Sequence, residues 1–237
     1  ESKARYEKVR LRVMRQVHYS AHNRNSIDLV LFVNGIPVAT LELKTDFTQG
    51  IDDAKNQYKL DRNPKDPKTK HVEPLLQFKR GALVHFAVST SEVWMTTKLA
   101  GMDTFFLPFN KGFNGGKGNP PNKDGYQTAY LWEEILQKDQ FLKILESFIQ
   151  IERKEVIEKN GEKKVKETLI FPRYHQLDAV TKLVATVKEE GAGKNYLFQH
   201  SAGSGKSNTI GWSAHKLATI HDAKDNKIFD TVIVITD

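Results

Sequence analysis

Cysteine is absent from the 237 residues. That excludes a disulfide scaffold and any zinc or iron–sulfur centre held by thiolates. A reducing compartment such as the cytoplasm fits. Nothing approaches eighteen consecutive apolar residues, so no helical membrane span is expected. Residues Glu1 to Arg15 alternate charged with apolar side chains and lack an apolar signal core, so secretion is not indicated. No internal repeat is visible. The chain is 39% hydrophobic and 27% charged, enough for one large domain or two smaller ones.

Acidic residues are in short supply: 29 against 36 Lys plus Arg, a net charge of +7. Residues 1 to 100 hold 17 basic and 11 acidic side chains, so most of the excess sits there. A basic segment suits a polyanionic partner. A solvated surface would carry the same charges.

Residues 27–33 and 36–44 read as two strands joined at Asn34-Gly35, a hairpin signal. Residues 50–62 place Ile51, Ala54 and Tyr58 at helical spacing. Strand-like runs follow at 82–89 and 92–97. Residues 110–125 are a Gly/Pro/Asn-rich loop, and 131–149 read as helix in one or two pieces. The charged stretch 151–168, centred on Asn160-Gly161, reads as an exposed hairpin or linker, and a domain boundary is expected there. Beyond it come a helix at 174–190 stopped by Gly191, a short buried strand at 195–199, and a Gly/Ser loop at 201–207. A helix at 208–220 and a buried strand at 228–236 complete the pattern. That order opens a doubly wound α/β domain.

Ala202-Gly-Ser-Gly-Lys-Ser207 lies between strand and helix. Phosphates need several backbone N–H groups aimed at one point, and glycines at 203 and 205 permit that. Lys206 can reach the β- and γ-phosphates of a nucleotide, and the Ser207 hydroxyl can ligate Mg²⁺. Gly203, Ser204, Gly205, Lys206 and Ser207 are therefore the expected ATP cradle. The motif's usual first glycine is replaced by His200. Gln176, about 30 residues before the lysine, resembles the adenine-reading glutamine of superfamily 2 helicases. A polar residue in a first helical turn would look the same. An acidic Mg²⁺-binding strand and arginine fingers are not present before Asp237, so a fragment is expected, holding part of an ATP site without hydrolysing ATP alone.

A second constellation lies in the first hairpin. Glu42 and Lys44 leave one face of one strand, and Asp28 is on its neighbour. Two carboxylates that bind Mg²⁺, with a lysine beside them, suit metal-dependent phosphodiester cleavage. An edge strand with charged outer positions gives the same spacing. Gln57 on the next helix can orient phosphate or water, with Lys59 and Arg62 as nearby cations for phosphate contact. His18 and His22 are spaced i, i+4, but their Asn- and Ser-rich setting suggests a turn. For Asp28 and Glu42 to share a face the hairpin needs a bulge. The expected form is a three-residue loop Val33-Asn34-Gly35 with Gly35 left-handed; a bulge near Pro37 has the same effect.

Together these residues resemble the restriction (motor and nuclease) subunit of type I restriction–modification enzymes. The stretches that carry the likeness include Ile27 to Pro37, Glu42-Leu-Lys44, Asn56-Gln-Tyr58, His85 to Val88, Met95 to Lys98, Phe106 to Asn110 and His200 to Ser207. The resemblance implies a PD-(D/E)xK-type α/β nuclease domain with a mixed sheet over residues 1–165. A truncated RecA-like superfamily 2 motor domain would begin at 169. It implies Asp28 and Glu42 as metal ligands, Lys44 as catalytic lysine, and Gln57 as the glutamine of a Gln-x-x-x-Tyr motif. Here Asp61 stands in the tyrosine's place and a tyrosine stands at 58. A further acidic ligand would be Glu7 or would lie upstream. The implied cofactors are Mg²⁺ and ATP. The implied partners are duplex DNA and the specificity and methyltransferase subunits. Alternatives are a helicase with an inactive DNA-binding N-terminal domain, and a P-loop kinase or GTPase, which the adenine preference implied by Gln176 would separate.

Overall fold

The computed structural model describes residues 2–47, 49–157 and 161–235. The chain divides into two units, Glu1–Phe171 and Pro172–Asp237.

In the first unit a short helix α1 (Ser2–Lys8) leads into six strands: β1 (Leu11–His18), β2 (Ser26–Val33), β3 (Ile36–Leu43), β4 (Val84–Val88), β5 (Val93–Thr96) and β6 (Leu107–Pro108). They form one sheet in sequence order. β3 and β4 are parallel, and every other neighbouring pair is antiparallel. A parallel pair needs a crossover, and the connection carries helix α2 (Ile51–Asp61). The mixed sheet is thus the expected kind. The strands beside the crossover are the most buried: all of β4, and Val38 to Glu42 of β3. The α2 residues Ala54 and Tyr58 pack with Ile27, Val30 and Ala87 in one core cluster.

β1 was not expected as a strand. Its charged and apolar residues do alternate, but it is an edge strand exposed along most of its length, so no buried face reveals it. The 131–149 region is a π-helical turn, Leu131–Ile135, followed by α3 (Lys138–Ser147). The charged stretch forms a hairpin of β7 (Gln150–Ile157) and β8 (Lys163–Ile170). Of its expected centre, Asn160 lies outside the described residues.

In the second unit α4 (Tyr174–Glu190) ends at Gly191, whose φ is 75°. A second helix, α5 (Lys206–Ala218), packs on α4 around Leu183, Val187 and Ile220. The strands expected at 195–199 and 228–236 are not formed over the described residues, which reach 235. A parallel strand needs ladder partners and covered faces. Here Leu197, Ile233 and Ile235 are at least 79% exposed, so neither condition is met.

Candidate active site

The β2–β3 hairpin sets the first site. Asn34 and Gly35 both have positive φ, 50° and 86°, so the connection is a two-residue turn with Val33 opposite Ile36. The expected three-residue loop is not what forms. The register then shifts next to Pro37: Phe32 pairs with Pro37, but Leu31 pairs with Ala39. Val38 is the inserted residue. A proline has no N–H for the ladder, so a bulge beside it costs little. Leu29 then lies opposite Leu41, and the same register sets Asp28 directly across from Glu42. One inserted residue brings the two carboxylates to a common face.

Both are held. Asp28 Oδ2 accepts from the Leu43 backbone N–H at 2.9 Å, and Oδ1 accepts from Gln16 Nε2 at 3.0 Å. Gln16 lies across from Asp28 in the β1–β2 register. Its φ is 49°, a left-handed value in mid-strand. Its Oε1 accepts from the Ser26 hydroxyl. Glu42 is fully buried, and its Oε1 accepts from Arg62 Nε at 2.7 Å. Its Oε2 is buried with no hydrogen-bond partner. Burial, reinforced by the neighbouring Asp28 carboxyl, pushes Glu42 up to about 8 despite Arg62. At neutral pH the pair therefore carries a proton where a cation would otherwise balance it.

Arg62 corrects an expectation. The sequence offers it as a cation for phosphate contact. Instead α2 ends at Asp61, and the next residue turns inward. Arg62 is buried, paired with Glu42 and donating to the Ser26 carbonyl. Gln57 is half-buried, and its Oε1 is buried without a partner. Tyr58 is fully buried and shares a short hydrogen bond with Thr40 Oγ1, which also lies 2.7 Å from His85 Nδ1. Burial lowers His85 to about 3, so it stays neutral. Tyr58 thus anchors α2 to β3, a structural task, and Asp61 is exposed.

Lys44 lies one residue past β3, but its backbone N–H still bonds the Val88 carbonyl, so strand geometry continues through it. Its side chain is half-exposed. Glu7 is exposed on α1. His22 stacks on His71 with ring centroids 3.6 Å apart, away from any His18 pairing. No group of three or more His, Cys, Asp or Glu residues able to hold a metal occurs among the described residues. The two carboxylates match what Mg²⁺ takes from a protein when substrate phosphate and water supply the rest.

In the second unit the loop 201–205 precedes α5, with Gly203 and Gly205 left-handed. Gly205 caps the helix with a φ of 81°, where any other residue is strained, and a Cβ there would also displace Gln176 Nε2. The Gln176 amide is buried; it donates to the Ser204 and Gly205 carbonyls and accepts from the Arg173 N–H. It is an internal brace of the loop. Lys206 and Ser207 are exposed, and Lys206 Nζ reaches back 3.4 Å to the His200 carbonyl. The Ser204 hydroxyl is buried without a partner.

Residues 3–104 match the family described as the type I restriction enzyme R protein N terminus. The matched segment contains β1 to β5 and every member of the carboxylate site. The glycine loop at 201–205 lies outside it. No curated protein matches the chain. No helix of the described residues is long and apolar enough to cross a membrane.

The sequence reading missed Gln16 and the role of Arg62. Gln16 carries no motif; its only signal is position, which becomes visible once β1 is placed against β2. Arg62 was visible, but whether it faces in or out is decided by the helix end at Asp61.

Proposed function

We propose that the chain is the nuclease-bearing part of a type I restriction enzyme R subunit, cleaving phosphodiester bonds of duplex DNA with Mg²⁺ in the cytoplasm. The observation that carries this is the bulged register, which puts Asp28 across from Glu42 with Glu42 Oε2 buried and unpaired. An unpartnered buried carboxylate oxygen is costly, and a divalent cation removes that cost. When bound, the ion would polarise the scissile phosphate and acidify a water. Asp28 and Glu42 would hold it, with Glu42 giving up its proton. Lys44 would stabilise charge developing on the phosphate. Gln57, with its free Oε1, would orient the attacking water.

The second unit is read as the start of a RecA-like motor. Gly203, Ser204, Gly205, Lys206 and Ser207 would cradle ATP phosphates, with Ser207 on Mg²⁺. Gln176 would read adenine only by exchanging its present partners in the loop. In the complete enzyme, ATP-driven translocation and partner subunits for specificity and methylation would deliver DNA to the nuclease.

A second reading is an inactive nuclease fold that only binds DNA within a superfamily 2 helicase. The Arg62–Glu42 pair favours it, since a guanidinium already occupies one of the two Glu42 oxygens. Nicking of supercoiled plasmid separates the two. Under the nuclease reading, cleavage needs Mg²⁺ and falls about 10²- to 10³-fold in Lys44→Ala, the loss typical of one transition-state donor. Absence of Mg²⁺-dependent nicking in the unaltered chain, or full nicking by Lys44→Ala, would sink it.

A further inference from the structure

Between Glu7 and Asp28 the chain has no acidic residue but carries Lys8, Arg10, Arg12, Arg15 and Arg24. The fold sorts them. In β1, Arg12 pairs with Phe32 and Met14 with Val30, and Gln16 lies across from Asp28. Arg10, Arg12, Met14 and Gln16 therefore leave the same face of the sheet, the face that carries Asp28 and Glu42. Along it runs an open groove of about 900 Å³. Lys8, Arg10 and Arg12 are its cationic lining, and Met14 and Phe32 its apolar lining; no acidic residue lines it among those described. One end is braced by reciprocal hydrogen bonds: Arg10 N–H to Asn34 Oδ1, and Asn34 N–H to the Arg10 carbonyl, both 2.9 Å.

We propose that this groove is the track for one phosphodiester backbone of duplex DNA, leading it along β1 to the Asp28–Glu42 pair. The inference rests on the nuclease reading for the direction of the track. Three cations with no opposing carboxylate complement a polyanion. The spacing fits as well. Arg12 and Gln16 are four strand residues apart, about 13 Å. A backbone held at Arg12 thus reaches the carboxylates within a few phosphates. Contacts to the phosphates themselves are independent of sequence.

The test is binding of a 30-base-pair duplex to the full chain, in Ca²⁺ to prevent cleavage, as a function of salt. The variants are Arg10→Ala/Arg12→Ala and a charge-matched control on β8, Lys163→Ala/Lys166→Ala. Each phosphate contact contributes about 0.9 to the slope of log affinity against log salt. The groove variant should lose about 1.8 of that slope, so its affinity falls roughly twelvefold less than the parent's between 50 and 200 mM salt. The β8 control keeps the parental slope. Arg10→Gln/Arg12→Gln, which retains side-chain length, should match the alanine variant. A parental slope in both groove variants, or an equal loss in the β8 control, overturns the track. The two readings fail separately. Plasmid nicking without a slope change removes the track alone; a slope change without nicking by the unaltered chain removes the nuclease reading alone.

Discussion

The two candidate sites are built on opposite physical plans. In the first unit the chemistry lies in side chains drawn from three adjacent strands, and it is withdrawn from water: Glu42 is fully buried, Arg62 is buried against it, and Asp28 has both oxygens engaged. In the second it lies in backbone, at an exposed glycine loop whose lysine and serine face solvent. The difference is what the ligands proposed for the two sites would require. A bare divalent ion needs carboxylates whose own solvation has been removed, so that it repays a standing cost. A phosphate chain is large and brings its own charge, so it needs only N–H groups free to converge. Buried charge couples the first site to the stability of its unit; the second has little such coupling.

The largest test of that contrast is Arg62→Ala. It removes the only hydrogen-bond donor to Glu42 Oε1 among the described contacts and one donor to the Ser26 carbonyl. Breaking a buried pair from one side costs roughly 3–5 kcal/mol. Glu42 is already protonated at neutral pH, so the loss should sit near the lower end there and grow above pH 8. Hydrogen exchange should show α2 amides loosened while α4 amides keep their protection. Equal loosening of both helices would mean that stability is not partitioned as the two plans require.

A smaller effect comes with pH. The folded chain keeps Glu42 protonated up to about pH 8, whereas an unperturbed glutamate loses its proton near 4.5. In that window the native state binds one proton more than the unfolded state. Stability contributed by this group is therefore fully present below about 4.5, falls as pH rises towards 8, and levels off beyond. Glu42→Gln should remove this part of the pH slope, read as the difference between the two melting profiles. Mg²⁺ competes with the same proton, so its affinity should rise by up to about tenfold per unit below pH 8. Calorimetric titration at pH 6, 7 and 8 checks it. An affinity flat across that range would separate the cation from Glu42.

How far these plans could be read from residues alone differs in the same way. The glycine loop of the second unit is local: its glycines, lysine and serine are contiguous, and α5 begins at Lys206, within the expected loop, two residues before the expected start. The carboxylate site is distributed. Asp28, Glu42, Lys44 and Gln57 were recognisable as types, and the need for a bulge followed from the period of two. Which bulge formed was not readable, because Asn34-Gly35 suits a two-residue turn and a three-residue loop alike; the proline at 37 decided it. Burial was the least legible quantity. Arg62 looks like any helix-terminal cation, and the apolar runs at 195–199 and 228–236 look like strands whether or not they find ladder partners.

The smallest expected effect is at Gln16, where the first plan stores strain. Its φ of 49° in mid-strand is a conformation that side chains other than glycine adopt at a cost of about 1–2 kcal/mol. In return its amide bridges Ser26 and Asp28. Two substitutions separate strain from bridge. Gln16→Ala keeps the strained backbone and deletes the hydrogen bonds, so it should lose about 1 kcal/mol. Gln16→Gly deletes both, and relief should offset the loss to within about 0.5 kcal/mol. Stability thus ranks glycine above alanine. Cleavage should not follow that ranking: both variants leave Asp28 Oδ1 without its donor, so both should lose activity by a similar factor, on the order of tenfold for a bond of about 1.4 kcal/mol. Denaturant midpoints and plasmid nicking on the same preparations check the two halves. If alanine were as stable as glycine, the left-handed residue would carry no strain. If either cleaved at the parental rate, Gln16 would be a strand residue that touches Asp28 without positioning it.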